Sequence, residues 1–122
     1  MAKMIMLVDD SKEMLESLSR VLEYAGYTTR CFSSGALALE ELSKTDYDLL
    51  ITDICMPVMD GFEIISKCKS TKAALPIIMI TGNREMNKLR IEQELKANAF
   101  ACIDKPFDVW KLLSVVNSAV GR

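Results

Sequence analysis

Short apolar runs alternate with amphipathic segments along the whole chain. The first run, Lys3–Val8, is rich in Met, Ile, Leu and Val and stops at two acidic residues, which is typical of a buried strand. Between Met14 and Ala25, apolar residues recur at helical spacing and form one stripe, so this segment is predicted to be a helix. Ser11 is suited to cap its start and Gly26 to end it.

The same alternation repeats four more times. Further strands are predicted over Thr28–Phe32, Asp48–Thr52, Pro76–Thr81 and Ala101–Asp104, and further helices over Ser34–Leu42, Phe62–Ser70, Arg84–Ala97 and Asp108–Val120. Five such units with strands that are apolar on both sides form a parallel sheet with helices on both faces and right-handed crossovers. We therefore predict a single α/β domain over residues 1–122, a five-unit (βα)5 doubly wound parallel sheet.

Composition excludes several classes of protein. The 122 residues are 50% hydrophobic, enough for a core, and the net charge of −2 gives no electrostatic reason to bind nucleic acid. The longest apolar runs are far shorter than the ~20 residues of a membrane helix, and the N-terminal run lacks the features of a signal peptide. We expect a cytoplasmic protein that binds neither membranes nor nucleic acid directly.

The absence of histidine narrows the chemistry further. With no histidine in the sequence, Ser-His-Asp catalysis, Cys-His catalysis and His-ligated metal sites are excluded. The 4 cysteines include no C-x-x-C pair, so we expect buried or half-buried thiols that act as small hydrophobic side chains.

Polar residues with chemical potential lie at the ends of the predicted strands. Asp9 and Asp10 follow the first strand, Asp53 follows the third, Thr81 ends the fourth, and Lys105 follows the fifth. In an open parallel sheet, ligands bind beyond the carboxyl ends of the strands. Each of these residues alone is more often a turn, strand-end or surface residue, but their placement at successive strand ends predicts one functional site.

Three carboxylates at one edge of the sheet repel each other, so their negative charge has to be compensated. At ~4 Å and an effective dielectric constant near 20, each pair repels by about 4 kcal/mol. Because only oxygen ligands are available, a hard divalent cation such as Mg²⁺ is the natural occupant. Asp9 and Asp10 together suit the metal, which leaves Asp53 as the better nucleophile for aspartyl-phosphate chemistry. Thr81 and Lys105 would stabilise the transferred phosphoryl group.

Four segments carry a resemblance to a known family. They are Leu7–Asp10, Thr52–Gly61, Ile77–Thr81 and Lys105–Phe107. With them the chain resembles the receiver domains of two-component response regulators along essentially its whole length. The resemblance implies a flavodoxin-like strand order 2-1-3-4-5, as in chemotaxis regulators. It also implies that Asp53 receives a phosphoryl group from a sensor histidine kinase or a histidine phosphotransfer protein.

The resemblance further assigns the metal ligands. It implies that Asp10 binds Mg²⁺ directly and Asp9 through water, with Asp53 and the backbone carbonyl of Cys55 as the other protein ligands. By the same resemblance the domain is not an enzyme acting on separate substrates. It is a phosphoacceptor that catalyses its own phosphorylation and slow dephosphorylation.

The resemblance also assigns the response to phosphorylation. Thr81 would bond a phosphoryl oxygen and Lys105 would pair with the phosphoryl group, with a cis bond between Lys105 and Pro106. The surface formed by the fourth helix, fifth strand and fifth helix would then bind an output domain or effector protein. The domain would be a monomer or a weak phosphorylation-dependent dimer.

One residue departs from the family pattern where the signal is expected to leave the site. Cys102 occupies a position that is usually aromatic and is too small to fill the same space. We therefore consider two routes: Phe100 takes the aromatic role, or the switch runs through Gly82–Asn87 and the fourth helix. The alternative is that Phe100 is only a core or loop-packing residue with no part in the switch.

Two other functions remain open. A pseudo-receiver would bind partners without being phosphorylated, although the complete acidic set, Thr81 and Lys105 argue against it. An aspartate-nucleophile phosphatase would usually have a second acid two residues after the nucleophile, and Cys55 occupies that position.

Overall fold

The computed structural model describes residues 2–122, in which five strands alternate with five helices. The strands are β1 (Met4–Val8), β2 (Thr28–Phe32), β3 (Leu49–Asp53), β4 (Ile77–Thr81) and β5 (Ala101–Asp104). The helices are α1 (Lys12–Tyr24), α2 (Gly35–Leu42), α3 (Gly61–Thr71), α4 (Lys88–Ala97) and α5 (Val109–Ala119). All strand pairs are parallel, in the order β2-β1-β3-β4-β5, so the predicted doubly wound fold and its strand order are confirmed.

Two apolar clusters cover the two faces of the sheet. Side chains of a strand alternate between faces, so Ile5 and Leu7 of β1 belong to one cluster while Met6 and Val8 belong to the other. Buried residues of α1 and α5 complete the first cluster, and those of α2, α3 and α4 complete the second. The central strands are buried on both sides for this reason, which accounts for their continuous apolar sequences.

β2 differs from the predicted strands that are apolar on both sides. It is an edge strand that pairs only with β1 among the described strands, and Thr28, Arg30 and Cys31 are exposed. The prediction of buried or half-buried thiols is therefore wrong for Cys31, and it is also wrong for the exposed Cys55. Arg30 forms an ion pair with Glu41 of α2 at 2.9 Å. Polar residues are therefore tolerated in β2, and a charged edge also discourages pairing with other chains.

Four of the five helices begin at a side-chain cap. The caps are Ser11, Ser34, Asp60 and Asp108, whose side chains accept hydrogen bonds from Met14, Leu37, Glu63 and Lys111 N–H respectively. Each cap satisfies a backbone donor that the helix itself leaves unpaired. At the other end of α1, Gly26 has φ of 99°, a left-handed conformation that glycine adopts readily.

α4 begins at Lys88 and not at Arg84, so its predicted start was wrong by one helical turn. Asn83 Oδ1 accepts a hydrogen bond from Met86 N–H at 3.1 Å, and Asn87 N–H donates to the Arg84 carbonyl at 3.2 Å. These bonds close turns that compete with the helix. The side chain of Asn87 does not cap α4 but donates to the Asn83 carbonyl at 3.2 Å.

Val58 is predicted to be a site of removable backbone strain. Its φ is 67° and its side chain is fully exposed, so a β-branched residue adopts a left-handed conformation without packing that compensates. We expect Val58→Gly to raise the free energy of unfolding by about 1 kcal/mol in chemical denaturation. Val58→Ala, which keeps Cβ, should give a smaller gain. A loss of stability in the glycine variant would contradict this account.

Candidate functional site

The carboxyl ends of the strands bring the predicted residues together. One carboxylate oxygen from each of Asp9, Asp10 and Asp53 lies within 4.8 Å of the other two. Lys105 Nζ lies 3.0 Å from Asp53 Oδ2 and 3.0 Å from Asp9 Oδ2. Thr81 is the last residue of β4, and its backbone carbonyl accepts a hydrogen bond from Lys105 N–H at 2.8 Å. The structure thus assembles all five residues at one edge of the sheet.

Local turns orient three of these side chains. Each accepts a hydrogen bond from the backbone N–H two residues further along the chain. The bonds join Ser11 N to Asp9 Oδ1 (2.8 Å), Cys55 N to Asp53 Oδ1 (3.1 Å) and Asn83 N to Thr81 Oγ1 (3.1 Å). Asp and Thr commonly form such side-chain turns, which both end the strand and fix the side chain over its end. The residue types at the strand ends therefore explain the geometry of the site.

Burial divides the acidic residues into two kinds. Asp9 and Asp53 are only 1% and 4% exposed, whereas Asp10 is exposed to solvent. Thr81, at 1%, is buried beside them. Buried carboxylates are costly unless they are paired, so the contacts of Asp9 and Asp53 decide what the site can hold.

Lys105 is the positive partner of the two buried carboxylates. Burial works to lower the pKa of this ammonium group, but its hydrogen bond to Asp53 and the nearby Asp9 carboxylate outweigh burial and raise the pKa. The group therefore stays charged throughout the neutral range. The bond from Lys105 to Pro106 is cis, which confirms the prediction.

One buried oxygen of the site lacks a hydrogen bond. Asp9 Oδ2 accepts none from the described residues, although Lys105 Nζ lies close enough to form an ion pair. A buried acceptor in this state favours a further positive partner. Together with the all-oxygen donor set of Asp9, Asp10 and Asp53, this fits a hard divalent cation.

Gly61 allows the loop after β3 to fold back against the acidic residue that ends this strand. A Cβ atom at position 61 would overlap the Asp53 carbonyl oxygen and would lie 2.7 Å from Ile54 Cα. Gly61 N–H also donates to the Ile54 carbonyl at 3.2 Å, and the Thr52 hydroxyl donates to the Asp53 carbonyl at 2.9 Å. The backbone beneath Asp53 is therefore tightly packed.

Comparison with known proteins decides the family. The sequence model of the response regulator receiver domain family matches residues 5–117 of this chain. The chain belongs to the response regulator receiver family. Receiver domains of this family are parts of the response regulators of two-component signal transduction systems. The assembled acidic residues of this receiver could bind a metal.

Individual relatives agree with this assignment. The receiver is 34% identical over 122 residues to the response regulator MprA of Mycobacterium ulcerans and 32% identical over 118 residues to the DNA-binding transcriptional regulator NtrC of Escherichia coli. It spans 52% of the first protein's length and 25% of the second's. The crystal structure of a response regulator receiver domain protein from Clostridium thermocellum superimposes with a TM-score of 0.91 at 26% identity, covering 100% of this receiver and 96% of that chain.

Sequence reasoning missed one residue near the site. Arg84 Nε donates to Asp104 Oδ1 at 3.0 Å, and Arg84 Nη2 donates to the Cys102 carbonyl at 2.8 Å. The hydrogen bond to Asp104 raises the pKa of Arg84. The sequence pattern predicts a helix at Arg84, and no sequence pattern indicates its contact with β5.

None of the described helices is both long enough and apolar enough to cross a membrane.

Proposed function

We propose that this receiver accepts a phosphoryl group on Asp53 from a phosphohistidine of a sensor histidine kinase or histidine phosphotransfer protein. The observation that carries the proposal is the contact of one half-buried ammonium group, Lys105, with two buried carboxylates, Asp9 and Asp53. Asp10 lies beside them at the solvent boundary. A buried nucleophile, charge compensation and an open side for the donor are the features that phosphoryl transfer needs.

In the proposed step, a carboxylate oxygen of Asp53 attacks the phosphorus atom of the donor. The new O–P bond forms as the P–N bond breaks, and the electron pair of that bond leaves with the imidazole nitrogen. Lys105 would stabilise the negative charge on the transferred oxygens, and the Thr81 hydroxyl would donate a hydrogen bond to one of them. The 122 residues of the sequence contain no histidine, so the donor phosphohistidine lies outside them.

Asp9, Asp10, Asp53 and the backbone carbonyl of Cys55 would hold Mg²⁺. When bound, Mg²⁺ would supply the positive charge that the clustered carboxylates and the incoming phosphoryl group require. In this proposal Asp10 contacts the metal directly and Asp9 through water. Asp9 Oδ2, which accepts no hydrogen bond from the described residues, supports an added cation at this place.

We expect Asp10→Ala to weaken Mg²⁺ binding more than Asp9→Ala does. Removal of a partner that acts through water typically costs about 10- to 100-fold in metal affinity, and removal of a direct ligand costs more. Calorimetric titration of Mg²⁺ into each unphosphorylated variant measures the two affinities. Asp46→Ala removes an exposed carboxylate that pairs with Lys72, and it controls for the change in charge alone. Equal affinities of the two site variants would contradict the direct and indirect assignments.

Incubation with acetyl phosphate and Mg²⁺ tests the proposed function against its alternatives. A receiver should accumulate a stable adduct with the mass of one phosphoryl group. A pseudo-receiver would form no adduct, and a phosphatase would release phosphate continuously without accumulating one. We propose that the domain is a phosphoacceptor with slow self-catalysed dephosphorylation rather than an enzyme with separate substrates.

The location of the receiver, its binding surface and its oligomeric state are also part of this proposal. We propose that the domain works in the cytoplasm and presents the surface of α4, β5 and α5 to an output domain or effector protein. Exposed apolar side chains support that surface, namely Leu89 at 74%, Phe100 at 49% and Trp110 at 80% exposure. The two curated relatives extend well beyond the part that the receiver matches, so an output domain in the same protein is one form of this proposal. A monomer or a weak phosphorylation-dependent dimer is expected.

A further inference from the structure

The loop between β4 and α4, residues 82–87, is tied to β5 through one side chain. Arg84 reaches β5 with both sides of its guanidinium group: Nε bonds the Asp104 carboxylate, and Nη2 bonds the Cys102 carbonyl. The two bonds share a planar group with fixed donor directions, which makes the contact geometrically specific. The loop is therefore held to β5 at two points.

The strand register excludes Phe100 from a direct role at the site. Thr81 lies opposite Asp104, and Phe100 precedes Asp104 by four positions along the strand direction. At the rise of a β-strand this separation is ~13 Å, so Phe100 is close to the opposite end of the sheet. Its backbone N–H bonds the Ile77 carbonyl, at the start of β4. The aromatic route through Phe100 is thus disfavoured, and the loop route remains.

The tethered loop is directly connected to the phosphoacceptor site. Thr81 Oγ1 accepts its hydrogen bond from Asn83 N–H, and Arg84 is the next residue. On the other side of the contact, Asp104 precedes Lys105, whose Nζ bonds Asp53. Thr81 makes no hydrogen bond to Asp53 among the described residues. If its side chain turns toward a group added on Asp53, the bond that it accepts from Asn83 N–H transmits the change to the loop that begins one residue later.

We propose that Arg84 is a positioning residue that holds the loop of residues 82–87 in its unphosphorylated arrangement. The inference rests on the proposed function, because it assumes that Thr81 bonds the phosphoryl group on Asp53. A group that favours the adjusted loop must work against the two bonds of Arg84. Removal of these bonds lowers that cost, so the receiver without Arg84 binds a phosphoryl mimic more tightly.

The direction of the change in affinity for the mimic distinguishes loss of the Arg84 contacts from loss of the Arg84 charge. Arg84→Ala removes a positive charge near the site, which by itself weakens the binding of an anion. Loss of the tether predicts the opposite change. Arg84→Lys keeps the charge but has only an ammonium group, which cannot reproduce the planar two-point contact. Lys88→Ala removes a positive charge from an exposed position four residues further along the chain and measures the electrostatic contribution alone.

The experiment is calorimetric titration of beryllofluoride, a phosphoryl mimic, into the receiver with saturating Mg²⁺. We expect Arg84→Ala to bind it about threefold to tenfold more tightly than the wild type, in line with the loss of exposed charge-assisted hydrogen bonds. Arg84→Lys should shift in the same direction, and Lys88→Ala should be unchanged or weaker. Mg²⁺ affinity without beryllofluoride should be equal in the wild type and both Arg84 variants.

The outcomes distinguish the two proposals. If the wild type fails to bind beryllofluoride, the proposed function is contradicted. If the wild type binds but both Arg84 variants bind equally or more weakly, only the role of Arg84 is overturned. Should Arg84→Ala fail to fold, Arg84→Lys gives the decision alone. A merely structural Arg84 would lower stability without tightening the binding of the mimic.

Discussion

Asp53→Asn should take up no phosphoryl group from acetyl phosphate and Mg²⁺ under conditions in which the wild type is fully labelled. The amide keeps the size of the carboxylate and can still accept the bond from Cys55 N–H, but it lacks the nucleophilic charge. Radiolabelled donor or intact mass measures the uptake. The expected effect is complete loss, because no other described carboxylate is buried in contact with Lys105 except Asp9, the proposed metal partner.

A matched control for this variant lies at the end of the loop that follows β3. Asp60 caps α3 through a bond from Glu63 N–H, and asparagine caps helices about as well as aspartate. Asp60→Asn should therefore fold normally and be labelled at a rate near that of the wild type. If Asp53→Asn is still labelled at the wild-type rate, the acceptor lies elsewhere and the assignment of Asp53 is wrong.

Gly61→Ala should lower the free energy of unfolding by about 3 kcal/mol, a large part of the stability of a small domain. The added methyl group would overlap the Asp53 carbonyl oxygen and Ile54 Cα, which are backbone atoms held by the sheet. Relief requires the loop or the end of β3 to move. Urea denaturation measures the loss, and phosphoryl uptake by the folded fraction should fall because Asp53 is displaced.

Gly35 provides the comparison for this substitution. It also occupies the first position of a helix, but a Cβ there would approach the Ile64 side chain at 2.9 Å and Met59 Sδ at 3.0 Å. Flexible side chains can give way, so Gly35→Ala should cost about 1 kcal/mol or less. Equal effects of the two substitutions would contradict the argument that backbone overlap makes Gly61 special.

The sheet and the positions of the site residues could be predicted because each depends on short-range pattern. Apolar runs that are buried on both faces predict parallel strands, and the polar residues that end them must meet at one edge. Asp9, Asp53 and Thr81 are also turn formers, so the residues that end the strands are the same ones that build the site. The predicted cap Ser11 marks where α1 begins.

The parts that could not be predicted depend on contacts between distant segments. Arg84 fits a helix by local propensity, and its bonds to Asp104 and the Cys102 carbonyl appear only when β4 and β5 are paired. The hydrogen bond from Met86 N–H to the Asn83 side chain closes a turn, so α4 begins later than predicted. The spacing of apolar residues contains no information about such side-chain bonds.

Chemical trapping of the phosphorylated receiver tests the central claim most directly. After incubation with acetyl phosphate and Mg²⁺, borohydride reduces an aspartyl phosphate to homoserine, and peptide mass spectrometry locates that residue. We predict homoserine at position 53, with unmodified aspartate at Asp9 and Asp10, and none in a sample prepared without Mg²⁺. Homoserine at Asp9 or Asp10, or none at position 53 in a sample that carries the phosphoryl mass, would contradict the account.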